Sequence, residues 1–536
     1  MKFAPKKARL GQLFALLLCL SAFFLYSCDT PSDEGGENLP EQTPDATTPD
    51  DFFNDEENGY DPTLYTASEG LKFTLSPDKS YYSVSGIGSC EDRVLVIPEE
   101  HDGKPVKRIE DAAFYRASGI RELVIPPSVT SIGSDAFYAC MGLNSIVGGA
   151  GIKVIEQEAF ESCVSLSTFY ICKSVTDISP DAFFGCYSLK NIYVSDENAL
   201  YKSVGGNLYS KDGKTLLQYT PGKSARSFTT PEGVEKIGDY AFGLAYRLGE
   251  IYLSDGVKAI GNGAFYYCIG LSYISIPDST TQIGDGAFSF CGSLTEITLG
   301  DNVRTLGAGA FAECSGLRSV KLGNGLLSIG YSAFAECESL ESVVIGNSVE
   351  KIGSYAFSEC ESLKSLTLGA SVKTIASYAF LGCLELSEIV IPDSTKEIGY
   401  QAFYRCENLS KVTLGKGVLE LDNYAFAGTA ITEILLPEEL LYIGDSAFTD
   451  CTLLSRVLGG ERVEKIGANA FCGCESLETV ELGASVKEIG SSAFSACDSL
   501  SLVLFGGSKS EWASINIGGY NTDLLGAEIQ YNYSKD

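Results

Sequence analysis

The stretch Ala356–Phe380, AFSECESLKSLTLGASVKTIASYAF, holds one full period of a pattern that fills most of the 536-residue chain. An Ala-Phe pair is followed by Cys360, then by aliphatic residues at short intervals, and then by a second Ala-Phe pair. Sixteen Ala-Phe pairs mark the register, with their phenylalanines at Phe114, Phe137, Phe160, Phe183, Phe242, Phe265, Phe288, Phe311, Phe334, Phe357, Phe380, Phe403, Phe426, Phe448, Phe471 and Phe494. The spacing is 23 residues, except for a 22-residue step after Phe426 and a 59-residue step after Phe183. A fixed period of this length predicts a solenoid of stacked coils.

Each repeat predicts two short strands. The pattern L-x-x-[VI]-x-[LI], as in LTEITLG at Leu294–Gly300, alternates as a short strand does, and the following V-x-x-I-G predicts a second strand or bend. The Ala-Phe-x-x-Cys segment is too short for a regular helix and predicts a helical turn with its Phe in the coil interior. The fold class expected from this pattern is a β-rich solenoid of about 17–18 coils, with short parallel strands and helical turns.

The period also suggests where the solenoid begins and ends. Residues 111–504 keep the repeat, with an insertion near 195–231 that accounts for the long step. Residues 63–110 lead into the repeat and predict an N-terminal cap and first coil, and residues 505–536 predict a C-terminal cap. Atypical end units are expected because they cover the hydrophobic faces of the terminal coils.

The N-terminus predicts a lipoprotein signal peptide at residues 1–27. Lys2, Lys6, Lys7 and Arg9 precede Leu10–Tyr26, an apolar run without charge. The sequence Leu25-Tyr26-Ser27-Cys28 resembles the lipobox of bacterial lipoproteins, which implies lipidation of Cys28 and attachment to the membrane through the lipid alone. An uncleaved signal anchor is the alternative.

Residues 28–62 predict a disordered acidic tether. They contain many Asp and Glu residues, together with Pro and Thr, and no Lys or Arg. Low hydrophobicity with charge of one sign does not support a packed core. The acidic cluster after Cys28 also resembles the surface-export signals of some Gram-negative lipoproteins, although a plain spacer explains it almost as well.

The repeat consensus AFxxCxxLxxVxLgxxVxxIgxx resembles the BspA-like, or Treponema-type, leucine-rich repeats. The resemblance runs from about Leu71 to the C-terminus and includes NLYSKDGKTLLQYTPG in the insertion and EWASINIGGYNTDLLGAEIQYNY in the tail. It implies a leucine-rich-repeat solenoid. It also implies a surface protein, here on the outer membrane, that binds host or microbial partners.

Thirteen of the 18 cysteines occupy one position of the repeat: Cys140, Cys163, Cys186, Cys268, Cys291, Cys314, Cys337, Cys360, Cys383, Cys406, Cys451, Cys474 and Cys497. Neighbouring coils would bring them close enough for disulfides. Parallel side chains in a ladder point the same way, however, so we predict a structural ladder of free, buried thiols. The sequence has no C-x-x-C pair and a single histidine, His101, so it predicts neither a metal site nor a cofactor.

Charge and motif content argue against two classes of function. A formal net charge of −31 repels phosphate backbones, so nucleic acid is not expected as a partner. With one histidine, no G-x-S-x-G elbow and no phosphate-binding loop, the sequence predicts no enzyme. Acidic residues are plentiful, so a carboxylate pair for glycoside hydrolysis stays open, but they lie at variable repeat positions where solvated faces are expected.

The variable positions of the long strand predict where a ligand binds. The outward residues form a candidate ligand-binding strip of Tyr193, Tyr252, Tyr273, Thr298, Lys321, Thr367 and Thr413. Such a mixture suits contact with proteins or glycans, while the alternative is that these residues are good strand formers on an exposed sheet. A second line of tyrosines, Tyr240, Tyr355, Tyr378 and Tyr424, is interpreted as packing between coils.

The sequence therefore predicts a lipid-anchored, cell-surface adhesion or binding protein that engages host or microbial proteins along its repeats. A glycan-capturing surface lipoprotein and a structural envelope protein are the alternatives. A clustered aromatic platform would favour glycans, and contacts spread over many coils would favour a protein partner.

Overall fold

Two ladders of short parallel strands run along the chain in the computed structural model, which describes residues 60–534. Each coil contributes a strand of three or four residues to one ladder and a two-residue strand to the other. Residues one period apart lie side by side, as Ile297, Val320 and Val343 do. The predicted leucine-rich-repeat solenoid with short parallel strands is confirmed. It has about 20 turns, more than the 17–18 predicted, because segments before Phe114 and after Phe494 also join the ladders.

The strands that precede residue 200 are β1 (Lys72–Leu75), β2 (Tyr82–Gly86), β3 (Val94–Val96), β4 (Glu100–His101), β5 (Lys104–Ile109), β6 (Glu122–Ile125), β7 (Ser131–Ile132), β8 (Ser145–Gly148), β9 (Val154–Ile155), β10 (Thr168–Ile171), β11 (Asp177–Ile178) and β12 (Asn191–Val194). Three strands follow in the region of the predicted insertion: β13 (Tyr201–Val204), β14 (Asn207–Ser210) and β15 (Thr215–Gln218).

The next strands, in chain order, are β16 (Ser227–Thr229), β17 (Lys236–Ile237), β18 (Glu250–Tyr252), β19 (Ala259–Ile260), β20 (Tyr273–Ser275), β21 (Gln282–Ile283), β22 (Glu296–Thr298), β23 (Thr305–Leu306), β24 (Ser319–Lys321), β25 (Ser328–Ile329), β26 (Ser342–Val344), β27 (Lys351–Ile352), β28 (Ser365–Thr367), β29 (Thr374–Ile375), β30 (Glu388–Val390), β31 (Glu397–Ile398), β32 (Lys411–Thr413) and β33 (Glu420–Leu421). The last elements are β34 (Glu433–Leu436), β35 (Tyr442–Ile443), β36 (Arg456–Gly459), β37 (Lys465–Ile466), β38 (Thr479–Leu482), β39 (Glu488–Ile489), β40 (Leu502–Phe505), α1 (Lys509–Trp512), β41 (Asn516–Ile517), α2 (Thr522–Gly526) and β42 (Glu528–Tyr531).

The Ala-Phe segments are successive tight turns, so the predicted helical turn is wrong. The Phe357 amide donates to the Ala379 carbonyl of the next coil at 2.8 Å, and the Cys360 amide closes a turn onto the Phe357 carbonyl at 3.4 Å. Tyr355 and Glu359 have φ values of 60° and 57°. A left-handed residue on each side of the phenylalanine interrupts a right-handed helix, and the backbone then bonds between coils.

The core is built on a column of stacked phenylalanine rings. From Phe114 to Phe183, and again from Phe242 to Phe494, rings of consecutive coils lie 4.8–5.9 Å apart and nearly parallel. Tyr219 takes the Phe position in the coil before Phe242. Its ring stacks on Phe242 at 5.1 Å, and its amide donates to the Ala241 carbonyl at 2.7 Å.

Within the predicted insertion, β13 and β14 form an antiparallel hairpin, whereas β15 and β16 already pair in parallel with β17 and β18. The Gly206 carbonyl of the hairpin accepts the Ile192 amide of β12 at 2.8 Å. The buried apolar residues divide at this point into two clusters, one ending at Leu208 and the other beginning at Tyr209. The hairpin therefore separates two stretches of core.

The segments predicted as caps carry irregular elements. The Ser68 amide donates to the Val96 carbonyl of β3 at 3.0 Å, and at the other end Trp512 of α1 packs edge-on against Phe505 at 5.2 Å. That these segments act as caps remains a prediction. Among residues 60–534, no helix has the length and apolar character needed to cross a bilayer. The predicted signal peptide, Cys28 and nearly all of the tether lie outside the described residues.

Candidate binding surface

The long strands turn alternate side chains outward. In β22, Ile297 is buried, whereas Glu296 and Thr298 on either side of it are exposed. Because the strands pair in register, equivalent outward side chains form two parallel rows along the ladder. We call the surface formed by these two rows the long-strand face.

The residues of the predicted strip all lie on the long-strand face. Tyr193, Tyr252, Thr298, Lys321, Thr367 and Thr413 occupy the third position of their strands and share one row, while Tyr273 occupies the first position of β20 and lies in the other row. Tyr193 is half-buried and the other six are exposed. The hairpin separates β12, which carries Tyr193, from β16 and the strands beyond it. The structure therefore groups six of the seven residues and sets Tyr193 apart.

Aromatic residues on this face occur as pairs. The rings of Tyr252 and Tyr273 lie 5.6 Å apart, and those of Tyr170 and Tyr193 lie 5.3 Å apart before the hairpin. The Tyr252 hydroxyl donates to the Glu250 carboxylate at 2.9 Å, and this hydrogen bond raises the pKa of Tyr252. No further aromatic side chain continues these pairs from β22 to β34, where the outward residues are aliphatic, hydroxylated or charged.

Apolar and charged residues alternate farther along the face. Val390 and Leu435 are 65% and 60% exposed, among the most exposed large apolar side chains of the described chain. In the neighbouring row, Lys411 contacts Glu388 at 3.6 Å, and Glu433 contacts an arginine of β36 at 3.1 Å. The alternation of the sequence places Val390 and Leu435 outward, but the degree of their exposure is a property of the folded surface.

The thirteen ladder cysteines form a second, internal array. Each is buried and carries a free thiol, and each Sγ donates to the carbonyl of the phenylalanine of the preceding coil at 3.1–3.3 Å. Burial raises the pKa of Cys360 to about 12. Thr429 fills the same position in the 22-residue coil, and its hydroxyl donates to the Phe426 carbonyl. Within residues 60–534, no group of His, Cys, Asp and Glu side chains is placed to hold a metal ion.

We expect thiol labelling to separate Cys472 from the ladder. Cys472 is the partly exposed cysteine of the described chain, whereas burial disfavours the reactive thiolate of the ladder cysteines. Partial burial also raises the pKa of Cys472, but near pH 8 iodoacetamide should modify Cys472 more rapidly than the ladder cysteines in the native protein, and all sixteen cysteines of the described chain after denaturation. Mass spectrometry of peptides gives the sites, and Cys472→Ser should remove the rapid phase. Rapid labelling of Cys360, or a disulfide between neighbouring coils, would contradict the buried ladder.

Comparison with known proteins adds the family. A family model described as a BspA type leucine-rich repeat region, with six copies, matches residues 99–211, 220–341, 327–455 and 373–501. No curated protein sequence matches the chain.

Among solved structures, a leucine-rich repeat protein from Bacteroides ovatus is 23% identical, with a TM-score of 0.48, over 87% of this chain and 99% of that one. A leucine-rich repeat protein from Eubacterium ventriosum is 22% identical, with a TM-score of 0.44, over 69% of this chain and 95% of that one. The pneumococcal vaccine antigen PcpA is 23% identical, with a TM-score of 0.42, over 53% of this chain and 82% of that one. Since the family model spans most of the two strand ladders and their Ala-Phe turns, the chain belongs to the family of BspA-type leucine-rich repeat proteins.

Proposed function

We propose that the protein is a bacterial cell-surface adhesion protein that binds a protein ligand through the long-strand face. The observation that carries this proposal is the exposed row from Thr298 to Leu435, in which apolar, hydroxylated and charged side chains recur in successive coils. Membership of a family of bacterial surface leucine-rich repeat proteins supports it. We assign the protein no catalytic activity.

Contacts spread over several coils favour a protein partner on this face. Protein interfaces combine a desolvated apolar centre with a polar rim, and Val390 and Leu435 supply exposed apolar side chains beside the paired charges of Glu388 and Lys411. Capture of glycans is the second candidate, favoured by the exposed Tyr252–Tyr273 pair. A single pair of rings is a smaller aromatic surface than the clustered aromatic platform that would favour glycans.

Attachment to the outer membrane completes the proposal. Lipidation at Cys28 would hold the solenoid at the surface, and the acidic residues of 28–62 would act as a solvated spacer. The strongly negative charge of the chain further favours a partner with basic or neutral surface.

Binding to a panel of host matrix proteins and mucins tests the function. The mature chain, residues 28–536 with Cys28→Ser, should bind at least one panel member saturably, and Val390→Glu with Leu435→Glu should weaken that binding at least tenfold. The matched control is Ser328→Glu, an exposed residue of the short-strand ladder, which should leave the affinity within twofold. Equal effects of both variants would contradict the long-strand face as the binding site.

A cellular arm of the same test addresses the anchor. Cells that express the full chain should display it and adhere to the ligand found in the panel. Cys28→Ala should release the protein into the soluble fraction and abolish adhesion. Surface display that survives this substitution would contradict the lipid anchor and leave the binding face to be judged by the panel alone.

A further inference from the structure

A row of tyrosine rings crosses five consecutive coils on the Ala-Phe turns, outside the long-strand face. The rings of Tyr331 and Tyr355 lie 5.6 Å apart, and those of Tyr355 and Tyr378 lie 4.4 Å apart. Tyr400 follows at 5.2 Å from Tyr378, and Tyr424 at 6.0 Å from Tyr400. With Tyr404, whose ring lies 6.3 Å from that of Tyr424, these residues make up the tyrosine ladder.

The tyrosine ladder lies at the surface. Tyr331 is 57% exposed, and the other five are partly exposed. None of them belongs to the buried core of the described residues. In each of these turns, the alanine and phenylalanine that follow the tyrosine position are the nearest residues that do. The interpretation of Tyr355, Tyr378 and Tyr424 as packing between coils therefore accounts for only part of each of these side chains.

The turns do not require tyrosine at these positions. Tyr355, Tyr378 and Tyr424 have φ values of 60°, 62° and 58°, a left-handed conformation that a bulky side chain adopts at some cost in backbone energy. Other coils form the same turn with glycine at Gly263, Gly286 and Gly309, with serine at Ser332, Ser446 and Ser492, and with larger polar residues at Asp135, Glu158, Gln401 and Asn469. The turn therefore does not call for an aromatic ring, and three tyrosines at strained positions of neighbouring or nearby coils point to a role beyond the turn itself.

The chemistry of the tyrosine ladder fits a sugar chain. A pyranose ring has an apolar C–H face and a rim of hydroxyls, and aromatic rings with neighbouring polar groups complement both. Tyr355 and Tyr378 lie nearly parallel, at 12°, and cover one face of each other, whereas Tyr331 and Tyr400 are inclined at 61° and 73° to their neighbours, so the row combines the surface of inclined rings with hydroxyl-bearing edges. Gln401 Nε2 donates to Tyr400 Oη at 3.3 Å and places an amide in the same row.

Charge restricts the class of glycan. Glu336 and Glu359 lie on two of the same turns, Arg405 beside Tyr404 is paired with Glu407 at 3.3 Å, and the chain as a whole carries a formal net charge of −31. A sulfated, sialylated or uronic-acid chain would be repelled. We propose that the tyrosine ladder is a binding site for an extended, neutral glycan chain that runs along the solenoid, separate from the protein-binding face.

Affinity electrophoresis followed by calorimetry tests this site. The mature chain, residues 28–536 with Cys28→Ser, is run through gels that contain a neutral β-glucan, mannan, xylan or α-glucan, with hyaluronan as the anionic counterpart. At least one neutral polysaccharide should retard the protein, and hyaluronan should not. Tyr355→Ser with Tyr378→Ser should weaken the binding at least tenfold while leaving the Tm within a few degrees, because serine occupies this turn position naturally in three coils.

Two further variant pairs make the result specific. Tyr331→Ala with Tyr400→Ala removes two ladder rings whose backbone is outside the left-handed region and should also weaken binding at least tenfold. Tyr252→Ser with Tyr273→Ser, the aromatic pair of the long-strand face, should leave glycan affinity within twofold, as should Val390→Glu with Leu435→Glu.

Several outcomes would overturn the proposal. They are a failure of every neutral polysaccharide to bind, a preference for hyaluronan, or binding that survives both ladder variants. If the tyrosine-ladder variants lost binding to a protein ligand and kept binding to the glycan, the assignment of a glycan as the ligand of this site would be wrong. Because the function proposed for the long-strand face is tested with different variants and a different panel, either proposal can fail without the other.

Discussion

Phe357→Ala is expected to lower the free energy of unfolding by about 3–5 kcal/mol, the usual cost of removing a fully buried phenylalanine ring. Phe357 is fully buried, and its ring stacks on Phe334 at 5.1 Å and on Phe380 at 5.4 Å. The substitution would remove buried apolar surface and leave a gap between the rings of Phe334 and Phe380. The two strand ladders hold the coils that carry these rings at a fixed spacing. Urea denaturation followed by circular dichroism measures the loss.

The control for this substitution lies on the same coil. Thr367→Ala changes an exposed side chain of β28 and should alter stability by no more than about 0.5 kcal/mol. Since each coil of a solenoid contacts its neighbours alone, hydrogen exchange should accelerate most in the coils that carry Phe334 and Phe380. A loss below about 1 kcal/mol would show that the neighbouring rings close the gap and that the column is not rigid.

Gly346→Ala should destabilise the protein by at least about 1–3 kcal/mol, the range for inserting atoms where no room exists. A Cβ at this position would lie 2.3 Å from the Gly323 carbonyl oxygen and 2.8 Å from its carbon, both backbone atoms of the preceding coil. A side chain could rotate away from such a contact, but a backbone held by both ladders cannot. Thermal unfolding of the variant measures the change.

Gly249→Ala is the matched control, because a Cβ there would meet its nearest atoms at 3.6 and 3.9 Å, in ordinary contact. We expect it to be neutral, or stabilising by up to about 1 kcal/mol through the unfolded chain. Equal effects of the two substitutions would contradict the conclusion that the backbones of consecutive coils lie too close together at Gly346 to admit a side chain.

The sequence predicts the periodic part of the fold well. A residue such as Val320 pairs one period away on both sides, so the same local pattern determines every coil. The helical turn was mispredicted because Tyr355 and Glu359 are left-handed without being glycine. The role of Tyr219 was missed because no alanine precedes it, although it lies one period before Phe242.

The binding surface is predicted in outline only. The alternation of each strand identifies outward positions, but not what covers them. Glu481 occupies an outward position yet is buried, with its carboxylate accepting the Gly459 amide at 2.6 Å and the Tyr533 hydroxyl from the C-terminal segment at 3.4 Å. The contact with Tyr533 joins residues 52 positions apart, so the repeat pattern of the sequence does not predict it. The repeat pattern likewise does not predict that the β13–β14 hairpin separates Tyr193 from the rest of the strip.

The short coil between Phe426 and Phe448 bears on how such a protein changes over generations. It lacks one residue and has Thr429 in place of the cysteine. The rings of Phe426 and Phe448 nevertheless stack at 5.6 Å, and the Phe426 amide still donates to the Ala447 carbonyl of the next coil at 2.8 Å. The stack thus tolerates a codon lost within a unit. Since neighbouring units make the same bonds, in-frame recombination between copies could delete or duplicate a whole coil and create an equivalent junction. Related genes could then differ in the number of coils while every surviving coil keeps its structure.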